Sequence, residues 1–263
     1  ENIWEEALSR YRYDGFRVGQ GSLWALPKDV GPWALAYNVD LFKEAGVPLP
    51  EPGKPWTWDE FVEYGKMLTK GSGNDRQWAS GFYTLESAVW ANGADWLDET
   101  KTKVTVDDPK FIEALEWVAD LQRVHKITPS REDDQSMGGY HRWLNGQLAM
   151  FPMGPWDQPA FWDLPFEWDL MTWPASPNTG KSGTWIGSMG FAISSRSNNL
   201  QEAFNLAAFL ALDEEGQRLN YQLGMAVPNL IDMAETEFLA MDKPPANKAE
   251  FLRIITDYGR RHI

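Results

Sequence analysis

The chain reads as an α/β fold, on two observations. Short apolar strands alternate with amphipathic helices along its whole length, and capping and turn residues fall at the joints between them. A third feature bears on function. There are 15 tryptophans and no cysteine, and many of the indoles stand beside glycine or proline rather than inside apolar runs.

Taken in order, residues 3–14 read as a short helix. The stretch FRVGQGSLWALPKDVG follows as strand and loop, and Trp33–Tyr37 as a short apolar strand. Asn38 caps a helix, DLFKEAG, that Gly46 ends. VPLPEPGKP is a rigid connector. Thr57 and Glu60 form a capping box that opens a helix over 58–69, and loop glycines with Asn74 come after it. Residues 78–82 read as a strand and 85–92 as a helix stopped by Asn92-Gly93. LDETKTKVTVDD alternates like a small hairpin. Asp108-Pro109 starts a helix running to about His125, with Phe111, Leu115 and Val118 on one face.

A further helix spans about 133–145. LAMFPM is a buried strand running straight into Gly154-Pro155-Trp156. Strands are predicted at 168–173 and 189–194. Asn198 caps a helix over 200–211 that buries Phe204, Ala207 and Ala211, and DEEGQ starts another. PNLIDMAETEFLA and NKAEFLRIITDYG are helical, separated by Asp242–Pro245. There is no internal repeat.

The composition is that of a globular chain, 43% hydrophobic and 24% charged. A net charge of −14 repels phosphate backbones and anionic membranes, so nucleic acid is excluded as a partner. Zero cysteine removes thiol catalysis, disulfides and thiolate metal sites. No apolar run is long enough to span a membrane. The first residues, ENIWEEALSRYRYDG, lack the basic start and apolar core of a signal peptide. The protein is therefore either cytoplasmic or separated from its leader.

Motifs for catalysis fail one by one. Ala175–Ser182, ASPNTGKS, approaches a phosphate-binding loop, but its first glycine is alanine and no helix follows, so it reads as a surface hairpin turn. His125, His141 and His262 are too scattered for a metal site. Gly187-Ser188-Met189-Gly190 lacks the serine placement of a nucleophile elbow. A calcium loop from Asp95 or Asp98 lacks its glycine and final glutamate. No cofactor or metal is implied. A pair of carboxylates for glycoside hydrolysis is a matter of spatial separation, which sequence does not give.

The tryptophans divide by position. Trp58, Trp117 and Trp143 lie within helices and read as packing. Trp156 follows a buried strand, where open α/β sheets bind ligands, and Trp185 lies between glycines. With Trp90 and Trp33 they are candidates for ligand contact, against the plainer alternative of core packing. Glu86 stands near Trp90 at a helix start, either as a ligand contact or as a partner of the helix dipole. A flat indole face suits the C–H patches of a sugar ring, and carboxylates suit its hydroxyls.

Seven stretches in order then carry a resemblance: DVGPWALAYNVDLFKEAGV, KPWTWDEF, ESAVWANGAD, LNGQLAMFPMGPW, GSMGFAISSRSNN, EAFNLAAFLALDEEGQ and MDKPPANKAEFLRIITDYGR. Together they resemble the bacterial extracellular solute-binding proteins of ABC sugar importers, the family that includes maltose-binding protein. The resemblance implies a class II periplasmic-binding-protein fold, two α/β lobes closing on a sugar, with no enzymatic activity. It implies a mono- or oligosaccharide ligand, ABC permease subunits as partners, a monomer when full length, and a periplasmic or extracellular location, lipid-anchored in some members. Trp156 becomes a stacking platform. Glu86 and Trp90 lie near the sugar, Trp185, Gly187 and Ser188 line the crossing strand, and Trp33 carries over more loosely.

The resemblance also implies that the N-terminal part of the first lobe precedes this chain and that further helices follow Ile263. Residues 1–184 would be mainly second lobe, 185–235 a returning segment of the first, and 236–263 helices back in the second. The returning segment would then expose apolar side chains such as Leu206 and Phe209. Two other functions stay open at this point: a glycoside-processing enzyme, and a sugar-sensing or scaffold domain on the same fold.

Overall fold

The computed structural model describes residues 2–261, apart from the side chain of Asn74; His262 and Ile263 lie outside the described residues. In chain order, helix α1 (Glu5–Leu8) runs into a 3-10 turn (Ser9–Tyr11) and is followed by strands β1 (Arg12–Tyr13), β2 (Ser22–Leu23), β3 (Leu26–Pro27), β4 (Gly31–Pro32) and β5 (Ala34–Asn38). Helices α2 (Val39–Ala45) and α3 (Trp58–Leu68), strand β6 (Trp78–Ser80), and helices α4 (Leu85–Ala91), α5 (Pro109–Arg123), α6 (Arg131–Ser136) and α7 (Gly139–Leu144) come next. Then follow β7 (Leu148–Met153), α8 (Gln158–Phe161), β8 (Trp168–Met171), β9 (Thr184–Gly187), β10 (Gly190–Phe191), α9 (Leu200–Leu212), α10 (Glu214–Gln222), α11 (Ile231–Met233), α12 (Ala249–Arg253) and β11 (Gly259–Arg261).

Two sheets position the site. The larger has the order β6-β7-β5-β8, with β6 parallel to β7 and β5 antiparallel to both of its neighbours. Every residue of β5 and β7 is buried, so these strands read as continuous apolar runs. The smaller sheet has the order β11-β9-β4. Strands β4 and β5 are separated by Trp33 alone, so the chain passes from one sheet to the other at that residue.

The predicted caps form as expected. The Asn38 side chain accepts from the N–H of Leu41, and Gly46 ends α2 at φ 68°. In the capping box the Glu60 N–H donates to Thr57 Oγ1 at 3.1 Å, and the Thr57 N–H donates to Glu60 Oε2 at 2.7 Å. Asp108 caps α5. Trp58, Trp117 and Trp143 pack as predicted, with Trp58 and Trp117 stacked 4.3 Å apart.

Several expectations are corrected. Residues 97–108 form no hairpin of strands: one bridge, Leu97–Val104, survives, and Asp98 Oδ1 gathers the N–H groups of Thr102 and Lys103. The 133–145 helix breaks at Gly138 into α6 and α7. The 3–14 helix is shorter, and the 189–194 strand shrinks to β10. On α5 the buried face is Phe111, Ala114 and Leu121, and Leu115 is exposed. The α9 N-cap falls at Asn199, not Asn198. Ala207 and Ala211 are buried but Phe204 is exposed; Leu206 and Phe209 are exposed as expected. The ASPNTGKS stretch is a surface turn but not a hairpin, because β8 and β9 belong to different sheets. Both C-terminal helices continue as five-residue π turns, Ala234–Phe238 and Ile254–Tyr258.

A buried carboxylate ties α12 to the main sheet. Glu250 accepts from Thr172 Oγ1 at 3.0 Å, from Arg253 Nε at 2.8 Å and from the Tyr258 hydroxyl at 2.5 Å. With three donors it is satisfied inside the protein.

Candidate functional site: an indole platform where the two sheets meet

Strand pairing brings three of the predicted tryptophans together. Ala34 faces Met153 in the antiparallel β5–β7 pair, so Trp33 lies beside the chain leaving β7 toward Trp156. Gly31 faces Gly187 in the β4–β9 pair, and the Trp33 N–H donates to the Trp185 carbonyl at 3.0 Å. The three indoles are near parallel. Ring centroids are 5.0 Å apart for Trp33–Trp185, 6.0 Å for Trp33–Trp156 and 6.2 Å for Trp156–Trp185, at 16°, 26° and 25°. Each such contact contributes about 0.5–1.5 kcal/mol beyond the area it buries.

Glycines make room for the rings. A Cβ on Gly31 would stand 2.9 Å from Trp156 Cζ3, one on Gly154 2.2 Å from Trp156 Cζ2, and one on Gly187 2.7 Å from Trp185 Cζ3. None of the three has a positive φ, so space rather than backbone conformation selects glycine here. Trp185 and Gly187 share the more open face of β9, since alternate strand residues point the same way.

Each ring is held by its surroundings. The Trp33 indole Nε1 donates to Thr84 Oγ1 at 3.0 Å. The Trp33 carbonyl accepts from Trp173 Nε1 at 2.8 Å and from Thr184 Oγ1 at 3.0 Å. Trp156 rides on a 3-10 turn, Pro155–Asp157, in which the Asp157 carboxylate accepts from the Gly154 N–H at 3.0 Å. Burial raises the Asp157 pKa above the ordinary carboxylate value. Trp156 is 41% exposed, whereas Trp33 and Trp185 are half-buried. The platform thus offers one open indole backed by two fixed ones.

The remaining candidates lie differently. Trp90 is 5% exposed and belongs to the core. Its ring stands edge-on to Trp96 at 5.7 Å, and its Nε1 donates to Asp95 at 3.2 Å. An open stacking face is therefore not what Trp90 presents. With the partly exposed Glu86 it lines a groove of about 660 Å³ that also includes Arg260, and a neighbouring groove of about 740 Å³ shares Trp90 and Arg260. Neither groove is lined by Trp33, Trp156 or Trp185. Ser188 is engaged by the fold: its Oγ donates to the Asp29 carbonyl at 2.7 Å and lies 3.0 Å from the Tyr11 hydroxyl.

Sequence reasoning missed Thr84, Asp157, Tyr11 and the glycines Gly31 and Gly154. Only Gly154, in the GPW that follows a buried strand, carried a local signal. Asp157 is the neighbour of Trp156 on the same turn, and the others reach the site through pairings distant in sequence.

Residues 2–217 match the family described as bacterial extracellular solute-binding protein. The chain belongs to that family. Among related solute-binding proteins, the arabinooligosaccharide-binding protein of Halalkalibacterium halodurans is 25% identical over 203 residues, 74% of this chain and 45% of that protein. The galactooligosaccharide-binding protein of Bacillus subtilis is 25% identical over 252 residues, 90% of this chain and 55% of that one. The chain spans about half the length of these curated relatives. Among solved structures, an ABC substrate-binding protein from Listeria monocytogenes in complex with cycloalternan superposes with a TM-score of 0.87 at 23% identity, covering 100% of this chain and 65% of that one. The GacH receptor of Streptomyces glaucescens gives 0.77 at 21% identity, with 99% and 64% covered. The fold is thus that of a class II periplasmic binding protein, as expected. No helix among the described residues is long and apolar enough to cross a membrane.

Proposed function

We propose that this chain is the carbohydrate-binding part of the solute-binding component of an ABC importer, that it acts outside the cytoplasmic membrane, and that it binds its ligand without transforming it. The observation that carries this reading is the platform of Trp156, Trp33 and Trp185 at the carboxyl end of β7. A partly open indole with glycine clearance beneath it and a carboxylate beside it suits a sugar ring, whose C–H face stacks while its hydroxyls find polar partners. The names of the relatives, oligosaccharide-binding proteins among them, support the same class of ligand. Closure over the sugar would create the form that permease subunits recognise. A lipid anchor outside the described residues would hold such a protein at the membrane.

We assign residues 1–184 and 236–263 mainly to the second lobe and 185–235 to a returning segment of the first. The apolar side chains that α9 leaves open, Leu206 at 60% and Phe209 at 37% exposure, support this division. On this reading the chain supplies one wall of a cleft. Its own affinity for sugar is then weak, about 1 mM or −4 kcal/mol.

The test is a titration of the chain with a panel of sugars, followed by the indole ¹⁵N–¹H resonances. Shifts at Trp33, Trp156 and Trp185 support the assignment, and silence toward every sugar rejects it. Incubation with oligosaccharides should release no new reducing ends; release would make the chain a glycoside hydrolase.

A further inference from the structure

The hairpin of β1 and β2 plays no part in the platform. The connection between its strands carries Phe16 at 94% exposure, and Trp24, just beyond β2, is 70% exposed. Single apolar side chains in water are ordinary. Two aromatic rings this open in one hairpin mark a contact surface.

The backbone that presents them is well ordered by hydrogen bonds. Asp14 Oδ1 accepts from the N–H groups of Arg17 at 2.7 Å and Phe16 at 2.8 Å. Those bonds lower the Asp14 pKa below its ordinary value, so the anion that shapes the turn persists. The Gly19 N–H donates to the Arg12 carbonyl at 2.9 Å, and Arg12 Nη1 donates to the Gly21 carbonyl at 3.2 Å. Gly21 has φ 79°, and a Cβ there would stand 2.7 Å from Asp14 Cα. Trp24 Nε1 donates to the Tyr13 carbonyl at 3.1 Å. A partner that docks here meets a preformed shape, which reduces the entropy cost of association.

The charge is as distinctive as the rings. Arg12 and Arg17 lie on the hairpin, and Arg10 and Arg261 stand at its base. None of the four makes an ion pair among the described residues. In a chain with 38 acidic and 24 basic residues, carboxylates are plentiful, yet none pairs with these cations. Arg10 donates to the Ile186 carbonyl on β9, and the Tyr11 hydroxyl lies 3.0 Å from Ser188 Oγ. The base of the hairpin is thereby fixed to the strand that carries Trp185.

Aromatic rings beside arginine are the side chains that dominate contacts between proteins. The open face of α9 is of another kind. Leu200, Phe204, Leu206 and Phe209 stand on a helix that holds no cation, which suits burial in a core. We infer that the hairpin bearing Arg12, Phe16, Arg17 and Trp24 is a docking surface for a short acidic segment of another protein, one that also carries an apolar side chain. Charge selects this partner over extended ones. An anionic bilayer or a second copy would set a broad negative face against a chain of net charge −14. A short segment feels only what lies within a Debye length, about 8 Å at physiological salt, and there it meets the arginines. The inference does not rest on the sugar-binding reading, and either can fail alone.

The experiment selects peptides from a random displayed library on the parent chain and, in parallel, on Phe16→Ser and Arg17→Glu. Sequences enriched on the parent are rich in Asp and Glu around a Leu, Phe or Trp, and neither variant retains them. The best of these peptides, once synthesised, shifts the amides of residues 12–24 in the parent. It binds each variant at least about tenfold more weakly, and its affinity falls as salt rises. The variants keep the melting temperature of the parent, because both side chains are exposed and Asp14 holds only the backbone at these positions. Enrichment of sequences without acidic residues, no enrichment, or peptides that bind the variants as they bind the parent overturn the docking surface. So do two results with no peptide present. Phosphatidylglycerol vesicles that shift the hairpin amides while no peptide does would give the surface to a membrane. Shifts that appear on concentrating the chain alone would give it to a second copy.

Discussion

The indole of Trp33 lies over that of Trp185, with centroids 5.0 Å apart and planes 16° from parallel, and the Trp33 N–H donates to the Trp185 carbonyl at 3.0 Å. These residues are far apart in sequence. They meet because β4 pairs with β9 in the register Gly31↔Gly187. Trp33 is also the one residue between β4 and β5. The site is thus built at the point where the chain crosses from one sheet to the other.

Gly154 is the tightest point of the platform. A Cβ there would stand 2.2 Å from the Trp156 ring, so Gly154→Ala must displace the indole. Overpacking of this kind costs about 1–3 kcal/mol. Thermal denaturation should show a lowered melting temperature, and Trp156 fluorescence should shift. Gly46→Ala serves as a control, since no atom lies near its Cβ direction and only its positive φ is strained. It should lower stability without moving the Trp156 signal.

Thr84→Val removes the acceptor of the Trp33 indole N–H. A lost hydrogen bond of this kind costs about 1 kcal/mol. The direct readout is the Trp33 indole resonance, which should move and broaden while those of Trp58 and Trp143 stay fixed. An unmoved Trp33 signal would show that ring stacking alone fixes the indole.

Much of the fold could be read locally. Asn38, Gly46, the Thr57–Glu60 box and Asp108 act within a turn or two of themselves, and each does what its chemistry predicts. The apolar run Leu148–Met153 announced a buried strand. What could not be read depended on distant partners. Strand β11 exists only because β9 offers it an edge. Leu115 and Phe204 share helical spacing with buried residues, yet face outward because nothing packs there. Trp56 and Trp173 stand beside proline like Trp156, but both are buried. A neighbouring proline or glycine does not tell an open indole from a core one, and neither does a strand end, since Trp173 follows β8 as Trp156 follows β7. Trp90 lies on a helix that turns its ring largely into the core, where it still edges two grooves.

Glu237 makes acid stability measurable. Its carboxylate accepts from Arg218 Nε at 2.7 Å and from the Tyr221 hydroxyl at 2.9 Å. The Arg218 hydrogen bond, then that of Tyr221, lowers its pKa from 4.5 to about 2. A folded-state pKa below the unfolded value means stability that is full above pH 4.5 and is lost as the pH falls toward about 2. Denaturant unfolding across that window should show a decline that Glu237→Gln lacks. The pair is solvent-accessible, so salt should reduce the difference.

Glu250→Ala tests the link between α12 and the main sheet. It leaves Arg253 and the Tyr258 hydroxyl without their shared carboxylate. Breaking a buried charged pair from one side costs about 3–5 kcal/mol. Equilibrium unfolding should show a loss of this size. A loss below about 1 kcal/mol would mean that water replaces the carboxylate without strain.

Whether Trp156 carries sugar binding is decided by titrating the parent chain and Trp156→Ala with the same oligosaccharide while following the indole resonances. The parent should bind weakly but saturably, with Trp33 and Trp185 responding. The variant should lose tenfold or more in affinity, at least about 1.4 kcal/mol. Equal affinity in the two proteins would contradict it.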